Sequence, residues 1–166
     1  MTDVYAGQLL KADHNANHES RLDLLDPTLT AWTDFSASMT ITAATTDPTL
    51  GSSTKTAKYQ QQGKVVHFTG RLYVTTGGAW NVGSGTYYFL LPVTAAAVIN
   101  QHTGSVFIED ASVGQRMGVC RLQDTTHLAI YYNHVAANIT PLGSTGPGSA
   151  WATGDIAAWS ITYEAA

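Results

Sequence analysis

The sequence predicts an all-β protein, a jelly-roll β-sandwich of about eight antiparallel strands with a short N-terminal arm or helix. Three observations carry this. First, apolar and polar residues alternate through Lys64-Val-Val-His-Phe-Thr-Gly-Arg-Leu-Tyr-Val74. Val66, Phe68, Leu72 and Val74 share one face, and Val65, His67, Thr69, Arg71 and Tyr73 share the other. Such period-two alternation marks a half-buried antiparallel strand. Second, turn signals recur at short intervals after residue 31. Third, only 12% of the residues are charged, about half the usual share. Thr, Ser, Gly and Ala take their place and give a neutral, hydroxyl-rich surface.

The chain reads as two regions, an arm over residues 1–30 and a β domain over residues 31–166. The arm holds five acids (Asp3, Asp13, Glu19, Asp23, Asp26) and two bases (Lys11, Arg21), so most of the net charge of −4 sits there. Asp13 is placed to cap a short helix carrying Leu22 and Leu25, and Pro27 stops it. A helix with about two leucines on one face cannot stabilise itself alone. The arm therefore calls for a partner surface, met through Tyr5, Leu9, Leu10, Leu22 and Leu25.

Strands are expected near 32–42, 54–62, 64–76, 85–92, 104–110, 114–123, 126–134 and 155–164. The separating turns are Asp47-Pro48, Gly51-Ser52, Gly77-Gly78, Gly83-Ser84-Gly85, Asp124-Thr125 and the run from Gly143 to Gly148. Eight short strands at regular spacing suit a sandwich or jelly roll. In the final strand Ala157, Trp159, Ile161 and Tyr163 share a face. Ala95-Ala-Ala-Val-Ile favours helix by propensity, but its short length between strands suits a loop with one turn. Trp32 and Trp159 are both expected in the core.

The chemistry-bearing residues do not assemble into a known catalytic motif. His14 and His18 stand at i, i+4 with Glu19 following, but the Glu between them that a zinc-protease helix needs is missing. A solvated polar face is the favoured reading, and no metal or other cofactor is expected. His67, His127 and His134 read as surface or subunit-contact residues. Gly83-Ser84-Gly85 lacks nucleophile-elbow spacing, and no phosphate loop or dinucleotide fingerprint occurs. Asp34, Asp47, Asp110, Asp124 and Asp155 fall mostly at strand ends or turns, where Asp caps backbone amides. No catalytic residue is assigned. Cys120, the single cysteine, alternates with apolar neighbours and is expected to be a buried thiol. The acidic balance and the absence of a Lys/Arg cluster argue against nucleic acid. No apolar run approaches the roughly 20 residues of a membrane span, and Met1-Thr-Asp-Val-Tyr-Ala-Gly carries no signal-peptide pattern.

Two surface features remain. Val65, His67, Arg71 and Tyr73 form a strand face too apolar and aromatic for plain solvent exposure, which points to a subunit interface. Trp80 sits in the glycine loop Gly77-Gly-Ala-Trp-Asn-Val-Gly83 beside Asn81. The pair could stack on and hydrogen-bond a sugar, or Trp80 could fold back as packing; packing is the favoured reading.

Several stretches in order resemble small virion proteins from phages of actinobacteria, commonly labelled minor tail proteins. They are Tyr5-Ala-Gly-Gln-Leu-Leu-Lys-Ala-Asp-His-Asn15-Ala, Trp32-Thr-Asp-Phe, Pro48-Thr-Leu-Gly51, Tyr59 with Gly63-Lys-Val-Val-His-Phe, and Gly83-Ser-Gly85 before Leu91-Pro92. Trp151-Ala-Thr-Gly-Asp155 and the ending Thr162-Tyr-Glu-Ala complete the likeness, which departs at Lys11, where the related pattern has Thr. The resemblance implies a non-enzymatic structural protein whose jelly roll forms a homotrimer on the particle surface. The arm, residues 1–30, would anchor it to the major capsid protein or to tail proteins. The expected place is the virion, after synthesis in a host cytoplasm, and capsid decoration is the favoured role. The alternative is a minor tail or tail-fibre protein that binds host-surface glycan; a carbohydrate-active enzyme on the same fold ranks below both.

All the strand patterning lies after Pro27. Deletion of residues 1–28 should therefore leave a soluble β domain that melts cooperatively in calorimetry but no longer joins particles. Full incorporation of the truncated protein would place the anchor elsewhere.

Overall fold

The computed structural model of the protein describes residues 31–51, 53–75, 81–97, 103–135, 138–147 and 151–166. The arm and its five named contact residues lie outside them. Two units divide the chain, Met1–Ala31 and Trp32–Ala166, and the second carries the whole described sheet. Its strands are β1 (Thr33–Asp34), β2 (Ile41–Ala43), β3 (Thr54–Gln62), β4 (Val65–Tyr73) and β5 (Tyr87–Leu90), then β6 (Thr103–Asp110), β7 (Gly114–Leu122), β8 (His127–Val135), β9 (Asn138–Pro141) and β10 (Ile156–Glu164). The described residues are all-β and contain no helix. Ala95 forms an isolated bridge to Ala165 in a loop, so tertiary pairing overrides the helix propensity of its neighbours.

The strands join in one antiparallel sheet, in the order β1-β3-β4-β10-β6-β7-β8-β5-β2, with β9 on β8. Gly63, at φ +57°, opens the two-residue turn between β3 and β4. The alternation along β4 sets its faces: Val66, Phe68 and Leu72 are fully buried, and Val65, His67 and Arg71 are exposed. The same alternation buries Ala157, Trp159, Ile161 and Tyr163 of β10 and Leu128, Ile130 and Tyr132 of β8.

The sheet is strongly curled. Three strands separate β10 from β5, so in a flat sheet they would lie about 19 Å apart. Yet the rings of Phe89 on β5 and Trp159 on β10 have centroids 4.5 Å apart. Trp159 also meets Phe68 of β4 edge-on at 6.2 Å. The Tyr163 hydroxyl donates to the Val93 carbonyl at 2.8 Å and accepts from the Val93 amide at 3.3 Å. The buried inner face is thus a core shared by strands distant in the sheet order.

A short crossing closes the structure. β1 pairs with β3 at one edge of the sheet, and β2 pairs with β5 at the other. Six residues, 35–40, join them, and six residues reach about 20 Å at most. Both edges must therefore come together. The expected continuous strand over 32–42 is corrected by this crossing. The Met39 and Ser38 amides both donate to the Phe35 carbonyl, a turn that breaks the ladder. Phe35 takes the inward position, edge-on to Tyr59 and Phe68. Trp32 falls on the outer face with Asp34 and is 45% exposed, so its expected place in the core is also corrected. β9 was not among the expected strands; its four residues extend the edge of β8.

Gly70 is what makes room for Trp159. A Cβ on Gly70 would lie 2.2 Å from Trp159 Cζ2. The indole Nε1 is buried and has no hydrogen-bond partner, so this side chain is retained for its shape and area. Gly70→Ala should lower stability by about 1–3 kcal/mol through overpacking. In a Trp159→Phe background, where the second ring is gone, the same change should cost less. Urea denaturation of the two single variants and the double variant measures this coupling; strict additivity would show that the two residues do not share a seat.

Candidate binding surface

The outer face of the sheet carries two different surfaces. The first is a groove of about 470 Å³ over β1, β3 and β4. Its floor is main chain at Ala57 and Gly70, which are register partners. The outward side chains on either side of that pair form the walls: Thr56 opposite Arg71, and Lys58 opposite Thr69. β1 adds Trp32 and Asp34, with Asp34 in register with Lys58. The Lys58 ammonium lies 5.5 Å from the centroid of the Trp32 ring. Hydrogen bonds from the Ser36 side chain and amide hold the Asp34 carboxyl below its ordinary value, so it is ionised near neutrality. Among the described residues, neither Lys58 nor Arg71 has a carboxylate within ion-pair distance.

The second surface is apolar. Met117 and Val119 of β7 are 64% and 42% exposed, and Ile139 of β9 is 64% exposed. Tyr131, in register with Val119, and Phe107, in register with Met117, extend the same face and are half-buried. A shallow depression of about 250 Å³ runs between Met117, Val119, Tyr131 and Ile139.

The expected interface row on β4 is bound up with its own chain. His67 Nδ1 lies 2.8 Å from Thr162 Oγ1, and the Arg71 guanidinium sits 4.9 Å above the Tyr73 ring. Val65, 44% exposed, is the row's main exposed apolar group. Trp80 lies outside the described residues. Asn81 exchanges backbone hydrogen bonds with Thr49, and its Oδ1 accepts the Gly83 amide at 3.0 Å. The groove therefore joins Trp32 to residues that the sequence reading did not connect. Period-two spacing of Trp32 and Asp34 was the available signal, but the assumption of a buried tryptophan masked it.

All five aspartates singled out from the sequence cap backbone amides, as expected. Asp34 takes Ser36, and Asp47 takes Ala43. Asp110 takes Ser112 and Val113, and Asp124 takes Thr126 and His127. Asp155, fully buried, clamps two loops: Oδ1 accepts the Ala111 amide at 2.9 Å and Oδ2 the Ala152 amide at 2.8 Å. At Asp124, burial pushes the carboxyl up, but hydrogen bonds from Thr126 and His127 outweigh it and bring it below the ordinary value. His14 and His18 lie outside the described residues. No group of three or more metal-ligating side chains occurs among the described ones. Cys120 is fully buried, and burial pushes its thiol up to about 12, so it is not a thiolate near neutrality. No described helix could cross a membrane.

Comparisons of the chain with protein-family models, with curated proteins and with solved structures find no match.

Asp155 supplies a test of the clamp. Burial pushes its carboxyl above the ordinary value; the two amide bonds pull it down by less, and Asp110 nearby adds to the rise. The folded state thus holds this proton more tightly than the unfolded chain. Asp155's contribution is fully present below the ordinary aspartate range and is lost in part as pH rises through the raised value. Asp155→Ala leaves two amides without their acceptor and should destabilise by about 2–5 kcal/mol. The gap between wild type and variant in urea titrations should narrow as pH rises across that window. A gap that widens over the same window would contradict the assignment.

Proposed function

We propose that the protein is a non-enzymatic structural protein of a phage virion, displayed as a homotrimer and anchored through residues 1–30. The observation that carries this is the outer face of the curled sheet, which leaves Met117, Val119 and Ile139 exposed beside half-buried aromatic rings. Clustered exposed apolar side chains of this kind mark an interaction surface. The five described aspartates, by contrast, cap backbone amides, which favours a structural over a hydrolytic role for them. The ordered likeness to small actinobacteriophage virion proteins supplies the particle context, with capsid decoration as the favoured role. In the jelly-roll reading, the runs β3-β4-β10-β6 and β7-β8-β5-β2 are the two layers, with the Phe89–Trp159 contact between them.

A cyclic trimer needs a heterologous contact, in which two different patches of each subunit meet. Part of the β4 row (Val65, His67, Arg71 and Tyr73), its Val65–His67 end, is one patch in this proposal, with Arg71 left facing the groove, and the row on β7 and β9 is the other. A tail or tail-fibre position, with host glycan as ligand, remains the second reading, and the polar groove on β1, β3 and β4 favours it. Electron microscopy of labelled virions separates head from tail.

Sedimentation of the full-length chain should give three times the 17.7 kDa protomer mass. Met117→Asp combined with Ile139→Asp places charge on exposed positions, so it should yield a folded monomer with little change in melting temperature. A wild-type monomer at micromolar concentration would overturn the trimer, and a trimer in the double variant would move the contact off β7 and β9.

A further inference from the structure

We propose that the groove over β1, β3 and β4 is a binding site for an acidic saccharide, a sugar ring bearing an anionic substituent. The inference concerns the isolated chain and does not rest on the virion reading. The groove combines three features that such a ligand needs. Trp32 offers a 45% exposed indole at one end, an apolar plate for the C–H face of a sugar ring. Lys58 and Arg71 stand on adjacent strands without a carboxylate partner among the described residues, and each is exposed. Ionised Asp34 and the hydroxyl of Thr56 line the same space and supply an acceptor and a donor for sugar hydroxyls.

The charge arrangement selects the ligand class. Two cations against one carboxylate make the groove locally positive, on a chain whose net charge is −4. A neutral sugar would leave both cations without an anion, Lys58 resting over the Trp32 ring and Arg71 over the Tyr73 ring, whereas a carboxylate or phosphate on the ring would meet them with charge-assisted hydrogen bonds. Arg71's planar fork suits either anion. The carboxylate of Asp34 disfavours a bare polyanion and favours a ligand that also brings hydroxyl donors. At about 470 Å³ the groove has room for one or two sugar rings. Its main-chain floor, where Ala57 and Gly70 send no side chain outward, lets a ring approach the sheet.

The test uses the full-length chain and isothermal titration with four probes: trigalacturonic acid, glucose 6-phosphate, maltotriose and inorganic phosphate. At least one of the two acidic sugars should bind at least tenfold more tightly than maltotriose and than inorganic phosphate, with affinity falling as salt rises. The first two probes distinguish a uronic acid from a sugar phosphate as the source of the anion. Trp32→Ala and Lys58→Ala should each weaken that binding tenfold or more. Neither residue belongs to the proposed subunit contact, so sedimentation should be unchanged, and loss of binding can be told apart from loss of assembly. Lys58→Gln, which removes the charge but keeps most of the side-chain length, is the second variant should either alanine change perturb folding. Equal binding of phosphate and the acidic sugars would reduce the groove to a cation patch and overturn the proposal. So would failure of both acidic sugars to bind, or their undiminished binding to the Lys58 variants.

Discussion

The packing of Trp159 against Phe89 is the contact on which the rest of the structure depends. It joins strands separated by three others in the sheet order, and so it requires the curl. Gly70 makes the seat, Phe68 closes one side, and the orphaned indole N–H is the cost of filling that seat with a large ring. The cost of an unpartnered buried donor is about 1–3 kcal/mol. Burial of the large aromatic surface around it, at roughly 25 cal/mol per Å², outweighs that. The six-residue crossing between β1 and β2 then acts on a sheet already bent. The Lys55 ammonium donates to the Met39 carbonyl, and the Leu90 amide donates to the Thr40 carbonyl, so the crossing is held from both edges.

Closing the sheet has consequences at its ends. Chain reversals leave backbone amides that no ladder can satisfy, and a chain poor in charge has few side chains to offer them. Five aspartates meet that need. The buried clamp at Asp155 ties the turn after β6 to the loop before β10. Its own carbonyl accepts the Val74 amide, which brings the end of β4 into the same corner. Of the five, Asp34 also faces the groove on the outer face of the sheet.

That outer face is not uniform. Over β1, β3 and β4 it is polar and charged, with one exposed indole; over β7 and β9 it is apolar. The same alternation generates both, because each inward apolar residue sends its neighbours outward. Whether those neighbours read as Lys58 and Arg71 or as Met117 and Val119 is free to vary without disturbing the core. Two chemically different surfaces thus lie on one sheet, built by the same alternation.

Much of the fold was legible in the sequence because strand period and burial are local. The faces of β4 and β10, the buried Cys120 and the capping aspartates all follow from alternation and turn chemistry within a few residues. Three things were not legible. The segment 32–42 looked continuous, but its two ends pair with opposite edges of the sheet, and no local signal encodes a partner so distant in the order. Trp32 looked like core because tryptophan is usually buried, yet its parity with Asp34 puts it outside while Phe35 takes the inner place. β9 is four residues long and ends in Pro141; it is a strand because β8 offers it an edge. The groove belongs with these: Trp32 is far from Lys58 and Arg71 in the chain, and the three become neighbours only through the β1-β3-β4 register. Side-chain direction is thus a property of the sequence, whereas which outward residues share a surface is decided by strand pairing, which depends on long-range hydrogen bonds and on the packing around Trp159.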